Sequence, residues 1–392
     1  MRIGITNPTT WPWVRRGGER FINELGAYLG RRGHDVTIIS SKPGRTEIRR
    51  DDGFTTICRR RLWHPALAKA GLLEFHAFFP VVLAELMRQR FDAVLCCTFL
   101  DSYAAILSRR VTGAPCIFWV NSPPPRVQYF RSLTLGGAII RRAVREADEV
   151  ISLSGYMSSI LKHRYGRAGI TLPVPVDLAQ FPLVTDRERR RTVLLCAAAL
   201  DDPRKGGAVL MKAFNRLKTT RPDLWLQIAA NVTGETHRRL ISLVSPQHRG
   251  HVEFLRDCGG DLPRLYGEAS VSVLPSMWEG FGMVVVESMA AGTPVVGTRD
   301  GALPELICNG AVGRLFDPGD GNAVEPNNVE GLVTAIEECL DLSRRPETAL
   351  HCRKRAEKVS WERVGPAFEH LFASLASSRL KTQRVGAACA SL

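Results

Sequence analysis

The sequence predicts an α/β fold built from two doubly wound, Rossmann-like domains with a cleft between them. The chain has 392 residues, which corresponds to roughly two or three domains of about 150 residues each. Short apolar strand candidates alternate with helical stretches, as in a parallel sheet covered by helices on both faces. This alternation occurs once in each half of the chain, so two sheets are expected, with ligands beyond the carboxyl ends of their strands.

The strands and helices follow from the apolar periodicity. In the first half, strands are expected at 2–6, 35–40, 93–97, 114–120 and 149–153, and helices at 19–32 and 79–88. In the second half, strands are expected at 192–198, 224–230, 252–255, 271–274 and 294–297. Helices are expected there at 206–219, 262–269, 284–291 and 329–343.

A proline-containing stretch separates the two halves. Pro173 and Pro175 favour extended backbone, and the charged run at 186–191 belongs at the surface. We therefore expect an amino-terminal domain over 1–183 and a carboxy-terminal domain over 184–359. A helix over 360–378 is expected to pack back toward the amino-terminal domain. Residues 379–392 lack apolar periodicity and are expected to form a flexible tail.

Composition excludes several classes of protein. Apolar residues make up 45% of the chain and charged residues 23%, which excludes disorder, a collagen-like repeat and a disulfide scaffold. The net charge of +14 favours nucleic acid, an anionic lipid surface or phosphorylated small molecules as partners. None of the ten cysteines forms a C-x-x-C pair, so no zinc or redox motif is indicated and a reduced, cytoplasmic chain is expected. No apolar run reaches about 18 residues, and the first six residues predict a strand rather than a signal peptide.

A glycine-rich loop between a strand and a helix predicts an anion site. The backbone N–H groups of Gly282, Met283 and Val284 precede the first intrahelical bond, so they are free to bind an anion such as a diphosphate. Gly280 and Gly282 allow the backbone to approach that anion closely.

Two carboxylates flank this anion site. Glu279 lies in the loop and Glu287 about one turn into the helix, and a carboxylate can accept hydrogen bonds from the hydroxyls of a sugar or a ribose. The alternative is a solvated loop residue and a partner of the helix dipole. The neighbouring aromatic residues Trp278 and Phe281 favour the binding site.

Two further segments place cations or glycines at helix starts. Arg204 and Lys205 are adjacent cations at a helix start, where an anion would offset their unfavourable position; a solvated basic turn is the alternative. Gly17 and Gly18 precede another helix and could face phosphate or sugar oxygens, or simply form a capping turn. Beside them Arg15 and Arg16 could recognise a phosphate or a charged acceptor, or be solvated.

The run Glu279-Gly-Phe-Gly-Met-Val-Val-Val-Glu287, followed by Ala290-Ala-Gly-Thr-Pro-Val-Val296, resembles the signature of retaining glycosyltransferases of family 4, also called glycosyl transferases group 1. The resemblance implies the GT-B fold. It extends over residues 148–320 and, more weakly, over the whole chain. Other matching pieces are Pro175-Val-Asp177, Leu262-Pro-Arg-Leu-Tyr266, Asp300-Gly-Ala-Leu-Pro-Glu305 and Gly313-Arg-Leu-Phe-Asp317.

The resemblance implies a role for several residues. Glu279 would contact the donor sugar, Glu287 the ribose, and Lys205 the diphosphate. The paired glycines Gly17 and Gly18 would face the donor phosphates.

The chain departs from the family pattern at two positions. The family carries an Arg near position 199, where this chain has Ala199; whether Arg204 substitutes for it is left open by the sequence. The family also carries a His about where Asn121 lies. An amide cannot take up a proton at neutral pH, so Asn121 is expected to position an acceptor hydroxyl.

The expected reaction is sugar transfer from a nucleotide diphosphate sugar, with retention at the anomeric carbon. No D-x-D sequence occurs, so no metal is expected, and the sugar nucleotide (UDP or GDP, both open) serves as co-substrate without another cofactor. A glycan, a lipid-linked sugar and a small molecule all remain open as acceptor. The alternative is a non-catalytic, hydrolytic or epimerising nucleotide-sugar-binding protein of the same fold.

Two other partners can be weighed from the sequence. Nucleic acid is not expected, because the basic residues are spread along the chain rather than clustered with aromatics. The basic cluster at 59–61, followed by Phe75, Phe78 and Phe79, could contact the inner face of an anionic membrane. The alternative for this segment is an acceptor loop followed by a core helix.

Overall fold

A computed structural model describes residues 1–14, 16–62, 64, 66, 74–123, 134–185, 191–320 and 323–390. The chain divides into two compact units. The first comprises Met1–Pro173 and Val364–Leu392, and the second comprises Val174–Arg363. The division falls earlier than the expected boundary at 183, because the backbone of Val176 pairs with Val359 and Trp361 near the end of the second unit.

The first unit contains a sheet of eight described strands. They are β1 (Arg2–Thr6), β2 (Asp35–Lys42), β3 (Glu47–Arg50), β4 (Phe54–Arg60), β5 (Ala93–Cys96), β6 (Cys116–Val120), β7 (Glu149–Ser152) and β8 (Ile170–Thr171). Their order is β3-β4-β2-β1-β5-β6-β7-β8, and β3 alone of these pairs antiparallel, with β4. The chain runs outward from β1 through β2, then returns to β5 on the other side of β1. The carboxyl ends of β1 and β5 therefore form a topological switch point.

Helices cover the first sheet between its strands. They are α1 (Gly17–Arg31), α2 (Glu74–Arg88), α3 (Phe99–Thr112), α4 (Thr134–Glu146) and α5 (Gly155–Tyr165). A buried cluster joins Phe78 and Val82 of α2 to Val94, Cys116 and Phe118 of the strands beneath. This apolar burial fixes which face of each strand meets α2 and α3.

The second unit contains a sheet of six parallel strands. They are β9 (Thr192–Cys196), β10 (Leu224–Ala229), β11 (Val252–Leu255), β12 (Val271–Leu274), β13 (Val295–Thr298) and β14 (Gly313–Phe316). Their order is β11-β10-β9-β12-β13-β14. Its switch point lies between β9 and β12, because the chain leaves β9 toward β10 and returns on the opposite side.

The helices of the second unit alternate with these strands. They are α6 (Gly207–Leu217), α7 (Gly234–Ile241), α8 (Leu262–Glu268), α9 (Met283–Ala290), α10 (Leu303–Leu306), α11 (Val329–Ser343) and α12 (Thr348–Glu357). A 3-10 turn at Pro203–Lys205 precedes α6. The alternation of strand and helix agrees with the doubly wound fold that the sequence predicted.

The last helix belongs to the first unit for most of its length. Helix α13 spans Trp361–Ala390, so the helix continues through most of the segment expected to be a tail. Ala, Leu, Lys, Gln and Arg in that segment have high helix propensity and can extend a helix without an apolar stripe. Phe368 of this helix packs on Phe21 of α1, with ring centroids 5.6 Å apart.

Several elements have no counterpart in the sequence prediction. The strands β3, β4, β8 and β14 and the helices α3, α4, α5, α7, α10 and α12 were not expected. Helix α3 is buried on most of its surface, including Ala104, Ala105 and Ser108, so its apolar residues do not form the one-sided stripe that marks a helix. None of the described helices is long and apolar enough to cross a membrane.

Candidate active site

Three loops meet at the carboxyl edge of the second sheet. They follow the neighbouring strands β9, β12 and β13, on both sides of the switch point. The first carries Lys205, the second Glu279 and the third Asp300. Parallel strands end at one edge, so side chains distant in sequence converge there.

Lys205 and Glu279 form an ion pair across this edge. The Lys205 Nζ lies 2.7 Å from Glu279 Oε2, and the Ser276 hydroxyl donates to the same oxygen at 2.8 Å. The Glu279 side chain is 18% exposed. Both contacts converge on Oε2, so Glu279 Oε1 has no hydrogen bond to the residues described here.

The ion pair keeps Glu279 ionised. Burial by itself raises the pKa of this carboxyl, because it disfavours the charged form. The Lys205 charge and its hydrogen bond, with the Ser276 hydroxyl and the Arg204 charge, outweigh burial and lower the pKa below its ordinary value. A permanently charged carboxylate is a hydrogen-bond acceptor, suited to binding sugar hydroxyls.

Arg204 is bound by its own turn. Its Nε and Nη2 donate to the Asp202 carboxylate, at 3.0 Å and 2.6 Å to Oδ2. Asp202 also caps the 3-10 turn by accepting the Arg204 backbone N–H at 3.0 Å. The Arg204 charge also helps to lower the pKa of Glu279, although Asp202 already pairs with the guanidinium. The sequence analysis did not predict this ion pair between Arg204 and Asp202.

The first two loops are locked together by backbone contacts. The Met277 N–H donates to the Arg204 carbonyl at 2.8 Å. Gly206 has φ +72°, and a Cβ there would lie 2.1 Å from the Pro275 carbonyl oxygen. Only glycine permits this close approach, so the turn that carries Lys205 is held against the loop that carries Glu279.

The helix start predicted to bind an anion is present. Gly282 is the N-cap of α9 with φ +98°, and its carbonyl accepts the Val285 N–H at 3.0 Å. The N–H groups of Gly282, Met283 and Val284 precede this first helical bond. Gly280 and Phe281 are buried in the preceding loop. The positive end of the helix dipole therefore lies one short loop from Glu279.

Glu287 lies deeper than its position near a helix start indicated. It is 3% exposed, and the buried Tyr266 hydroxyl donates to its Oε2 at 3.2 Å. The Thr293 hydroxyl in turn donates a hydrogen bond to the Tyr266 backbone carbonyl at 2.6 Å. Truncating Glu287 would leave this buried network unsatisfied, so the carboxylate contributes to the fold as well as to any ligand contact.

The glycine pair of the first unit lies at the carboxyl end of its sheet. Gly17 and Gly18 are the first two residues of α1, and Arg16 is the exposed N-cap. A Cβ on Gly18 would lie 4.0 Å from Trp119 Cη2, so α1 begins above the end of β6. Arg15 lies outside the described residues.

Asn121 directly follows β6. Its amide Nδ2 donates to the Cys97 carbonyl, which follows β5, at 3.3 Å. The residue is exposed, and its backbone is two residues from Trp119. The structure therefore brings Gly18 and Asn121 to the same end of β6.

A buried carboxyl lies below this edge and was missed from the sequence. Asp101 of α3 accepts hydrogen bonds on Oδ2 from the Thr6 hydroxyl at 2.8 Å and the Cys97 N–H at 3.2 Å. Burial raises its pKa to about 7. Its Oδ1 is buried without a hydrogen-bond partner among the described residues. A polar residue at this point of a buried helix gives no periodic signal.

The basic cluster near residue 60 is largely occupied within the first unit. Arg59 forms a bidentate ion pair with the buried Glu85, with Nε 2.9 Å from Oε1 and Nη2 3.1 Å from Oε2. Arg61 is buried and donates to the Pro8 carbonyl at 3.2 Å. Phe78 is buried in the core. These contacts favour the interpretation as a core helix over that of a membrane-docking surface; residues 63, 65 and 67–73 lie outside the described part.

The described residues contain no group of three or more His, Cys, Asp or Glu side chains arranged to hold a metal ion. The nine cysteines whose side chains are described are free thiols.

Comparison with known proteins agrees with this architecture. Residues 185–359 match the family model of glycosyl transferases group 1, and residues 15–180 match that of glycosyltransferase family 4. The sucrose-phosphate synthase of Thermosynechococcus elongatus superposes with a TM-score of 0.81 at 20% identity, covering 96% of this chain and 99% of that one. This likeness shows the fold.

Two curated relatives cover different shares of the chain. The glycogen synthase of Mycobacterium tuberculosis is 29% identical over 98% of this chain and 96% of its own length. The MMP alpha-(1->4)-mannosyltransferase of Mycolicibacterium hassiacum is 30% identical over 57% of this chain, and the match spans only 53% of that relative.

The two doubly wound α/β units and the family matches to each of them define a glycosyltransferase with the GT-B fold. The chain belongs to the glycosyl transferases of group 1, that is, glycosyltransferase family 4.

Proposed function

We propose that this protein transfers a sugar from a nucleotide diphosphate sugar to an acceptor hydroxyl, with retention at the anomeric carbon and without a metal ion. The observation that carries the proposal is the Lys205–Glu279 pair at the switch point of the second sheet, one short loop from the start of α9. The cation and the free backbone N–H groups would bind the diphosphate of a sugar nucleotide, and the carboxylate would accept hydrogen bonds from the hydroxyls of its sugar.

In this proposal the second unit binds the donor. The diphosphate would accept hydrogen bonds from the N–H groups of Gly282, Met283 and Val284 and from Lys205. Glu279 Oε1 would accept a hydrogen bond from a donor sugar hydroxyl, and Glu287 one from the ribose. Because Glu287 also binds Tyr266, the ribose would join an existing buried network.

Lys205 would supply most of the electrostatic stabilisation. Negative charge grows on the diphosphate as its bond to the anomeric carbon breaks, and a preorganised cation stabilises this charge. The acceptor oxygen would attack the same face and form the new glycosidic bond, while its proton passes to a diphosphate oxygen. Arg204 would contribute less, because Asp202 holds its guanidinium within its own turn, whereas Lys205 pairs with the carboxylate that would contact the donor sugar.

The first unit would bind the acceptor. Asn121 lies at the carboxyl edge of its sheet and would offer its amide to acceptor hydroxyls, while Gly17 and Gly18, at the same edge, would offer backbone N–H groups to the donor phosphates. The exposed Arg16 would favour an acceptor that carries a negative charge. The relatives named above act in glycogen synthesis and mannose transfer, which supports a hexose as the transferred sugar.

The first experiment measures release of UDP or GDP from UDP-glucose and GDP-mannose, with and without candidate acceptors. Acceptor-dependent release supports transfer; equal release without acceptors favours a hydrolase, and binding without any release favours a non-catalytic sensor. The anomeric configuration of the product then follows from NMR coupling constants.

The ribose contact has its own test. Glu287→Gln keeps the size of the side chain and can still accept from Tyr266, but it replaces a charge-assisted acceptor. Affinity for the free nucleotide diphosphate should fall by about 1–3 kcal/mol, measured by calorimetry. Glu268→Gln, an exposed partner of Arg264 on α8, serves as the matched control. Unchanged affinity in Glu287→Gln would contradict the ribose assignment.

A further inference from the structure

The residue before Glu279 has an unusual backbone conformation. Trp278 has φ +56°, in the left-handed region that residues other than glycine rarely adopt. Such a conformation persists only where the surroundings hold it, and it occurs most often where a functional side chain must be aimed. The direction of the Glu279 side chain depends on this backbone turn, because the two residues are adjacent.

Asp300 holds this turn from the loop after β13. Its Oδ2 accepts the Trp278 backbone N–H at 2.6 Å, a short contact between a charged acceptor and a backbone donor. The third loop also binds Glu279 itself, because the Ala302 N–H donates to the Glu279 carbonyl at 2.9 Å. The backbone is thus held on both sides of the Glu279 side chain.

Gly301 permits this clamp. It has φ +63°, and a Cβ there would lie 2.6 Å from the Glu279 carbonyl oxygen and 2.7 Å from the Glu279 nitrogen. The backbone of the third loop therefore packs directly against the backbone of Glu279, and Asp300 is the residue that reaches across to Trp278.

We propose that Asp300 is a positioning residue, which fixes the left-handed turn at Trp278 and so directs Glu279 toward the donor sugar. The inference rests on the proposed function, in which Glu279 contacts that sugar. Asp300 itself touches no substrate. Its carboxylate sets the geometry of a group whose Oε2 is already occupied by Lys205 and Ser276, so a small rotation would displace the remaining Oε1.

Two substitutions separate the hydrogen bond from the size of the side chain. Asp300→Leu has similar bulk and no acceptor, whereas the amide oxygen of Asp300→Asn can accept the same N–H. With the donor that proves active among UDP-glucose and GDP-mannose, Asp300→Leu should lower kcat by about ten- to a hundredfold. The dissociation constant of UDP or GDP, measured by calorimetry, should change by less than about threefold, because the diphosphate contacts remain. Asp300→Asn should recover most of the lost kcat.

Asp317→Leu is the matched control. Asp317 likewise accepts a backbone N–H, that of Gly319 at 2.8 Å, in the loop after β14, and it should leave kcat unchanged. If Asp300→Leu does not fold, Asp300→Ser replaces it, because the serine side chain is too short to reach Trp278. Wild-type kcat in the Leu or Ser variant would overturn the proposal, as would an equal loss of kcat and nucleotide affinity. A wild-type protein that neither binds UDP or GDP nor releases it from the sugar nucleotide would overturn the proposed function itself.

Discussion

Lys205 is the residue on which the proposed chemistry depends most. Both adjacent cations are paired: the Lys205 ammonium lies 2.7 Å from Glu279, the carboxylate proposed to contact the donor sugar, whereas Arg204 is held by Asp202 within its own turn. This difference between two adjacent cations could not be read from the sequence, because both occupy the same turn. In the proposed mechanism, Lys205 is therefore the side chain that mainly stabilises the negative charge developing on the leaving group.

Lys205→Ala should therefore lower kcat by about 2.7–4 kcal/mol in activation free energy, that is, roughly a hundred- to a thousandfold. The affinity for nucleotide diphosphate should fall less, because the cation helps the transition state more than the ground state. Lys212→Ala, an exposed lysine on α6, is the control for the loss of one positive charge. Steady-state kinetics that showed a raised KM at normal kcat would contradict this role.

Asp101 gives a pH dependence of stability to the first unit. Its pKa is raised from 3.8 to about 7 by burial, so folding favours its protonated form. The contribution of Asp101 to stability is complete below about pH 4 and is lost as the pH rises through 7, by up to roughly 4 kcal/mol. Asp101→Asn removes this titration, so the wild-type protein should lose stability relative to the variant between pH 5 and pH 8.

Melting temperatures of both proteins across this pH range provide the measurement. The control is Asp52→Asn, an exposed carboxylate paired with Arg31 at the surface. A constant difference between wild type and Asp101→Asn at every pH would show that the carboxyl stays ionised throughout. The test uses the change with pH in the difference between the two melting temperatures, because the asparagine amide adds a buried donor that shifts stability at every pH.

At the level of elements, the turn at Pro203–Lys205 and the loop before α9 act as one piece. Gly206 forms the contact between them, with φ +72° and its α-carbon against the Pro275 carbonyl. Their separation along the chain hides this contact from any pattern in the sequence.

Gly206→Ala should destabilise the protein by about 2 kcal/mol or more. The alanine would have to keep a left-handed backbone conformation, and its Cβ would displace the Pro275 backbone. Gly234→Ala is the control, since a Cβ there meets nothing within 4 Å at the start of α7. Urea unfolding of both variants measures the difference. Equal stability of the two variants would show that the loops can separate without cost.

The sequence predicted the helices and strands whose apolar residues recur with a clear period, and it missed elements without such a period. The strands β11 and β12 were placed at their observed bounds, because short apolar runs between turns define them locally. The start of α9 after the glycine-rich loop followed from local spacing as well. Asp300 and Tyr266 were not recognised as the partners of Trp278 and Glu287, because those contacts join residues brought together only by the sheet. The burial of Glu287 was hidden for the same reason.

For the whole molecule, activity is expected to survive chelation by EDTA, and the product is expected to keep the anomeric configuration of the donor. The first expectation rests on Lys205 and the start of α9 as sources of positive potential; the second rests on what the resemblance of the run from Glu279 to Glu287 implies about the reaction. Loss of activity that added metal restores would show that a cation bridges the diphosphate. An inverted product would require a general base near the acceptor, a role that the Asn121 amide cannot perform.

The hydrogen bond from the Met277 N–H to the Arg204 carbonyl has a consequence for engineering of the donor specificity. A loop grafted alone from a relative would lack the neighbouring loop with which it makes its backbone contacts. The effects of grafting these loops separately should therefore not add up to the effect of grafting them together. The turn at 202–206, the loop at 275–282 and the loop at 299–302 form one transplantable cassette. Recombination between family members would be expected to succeed at crossover points that keep these three segments from the same parent.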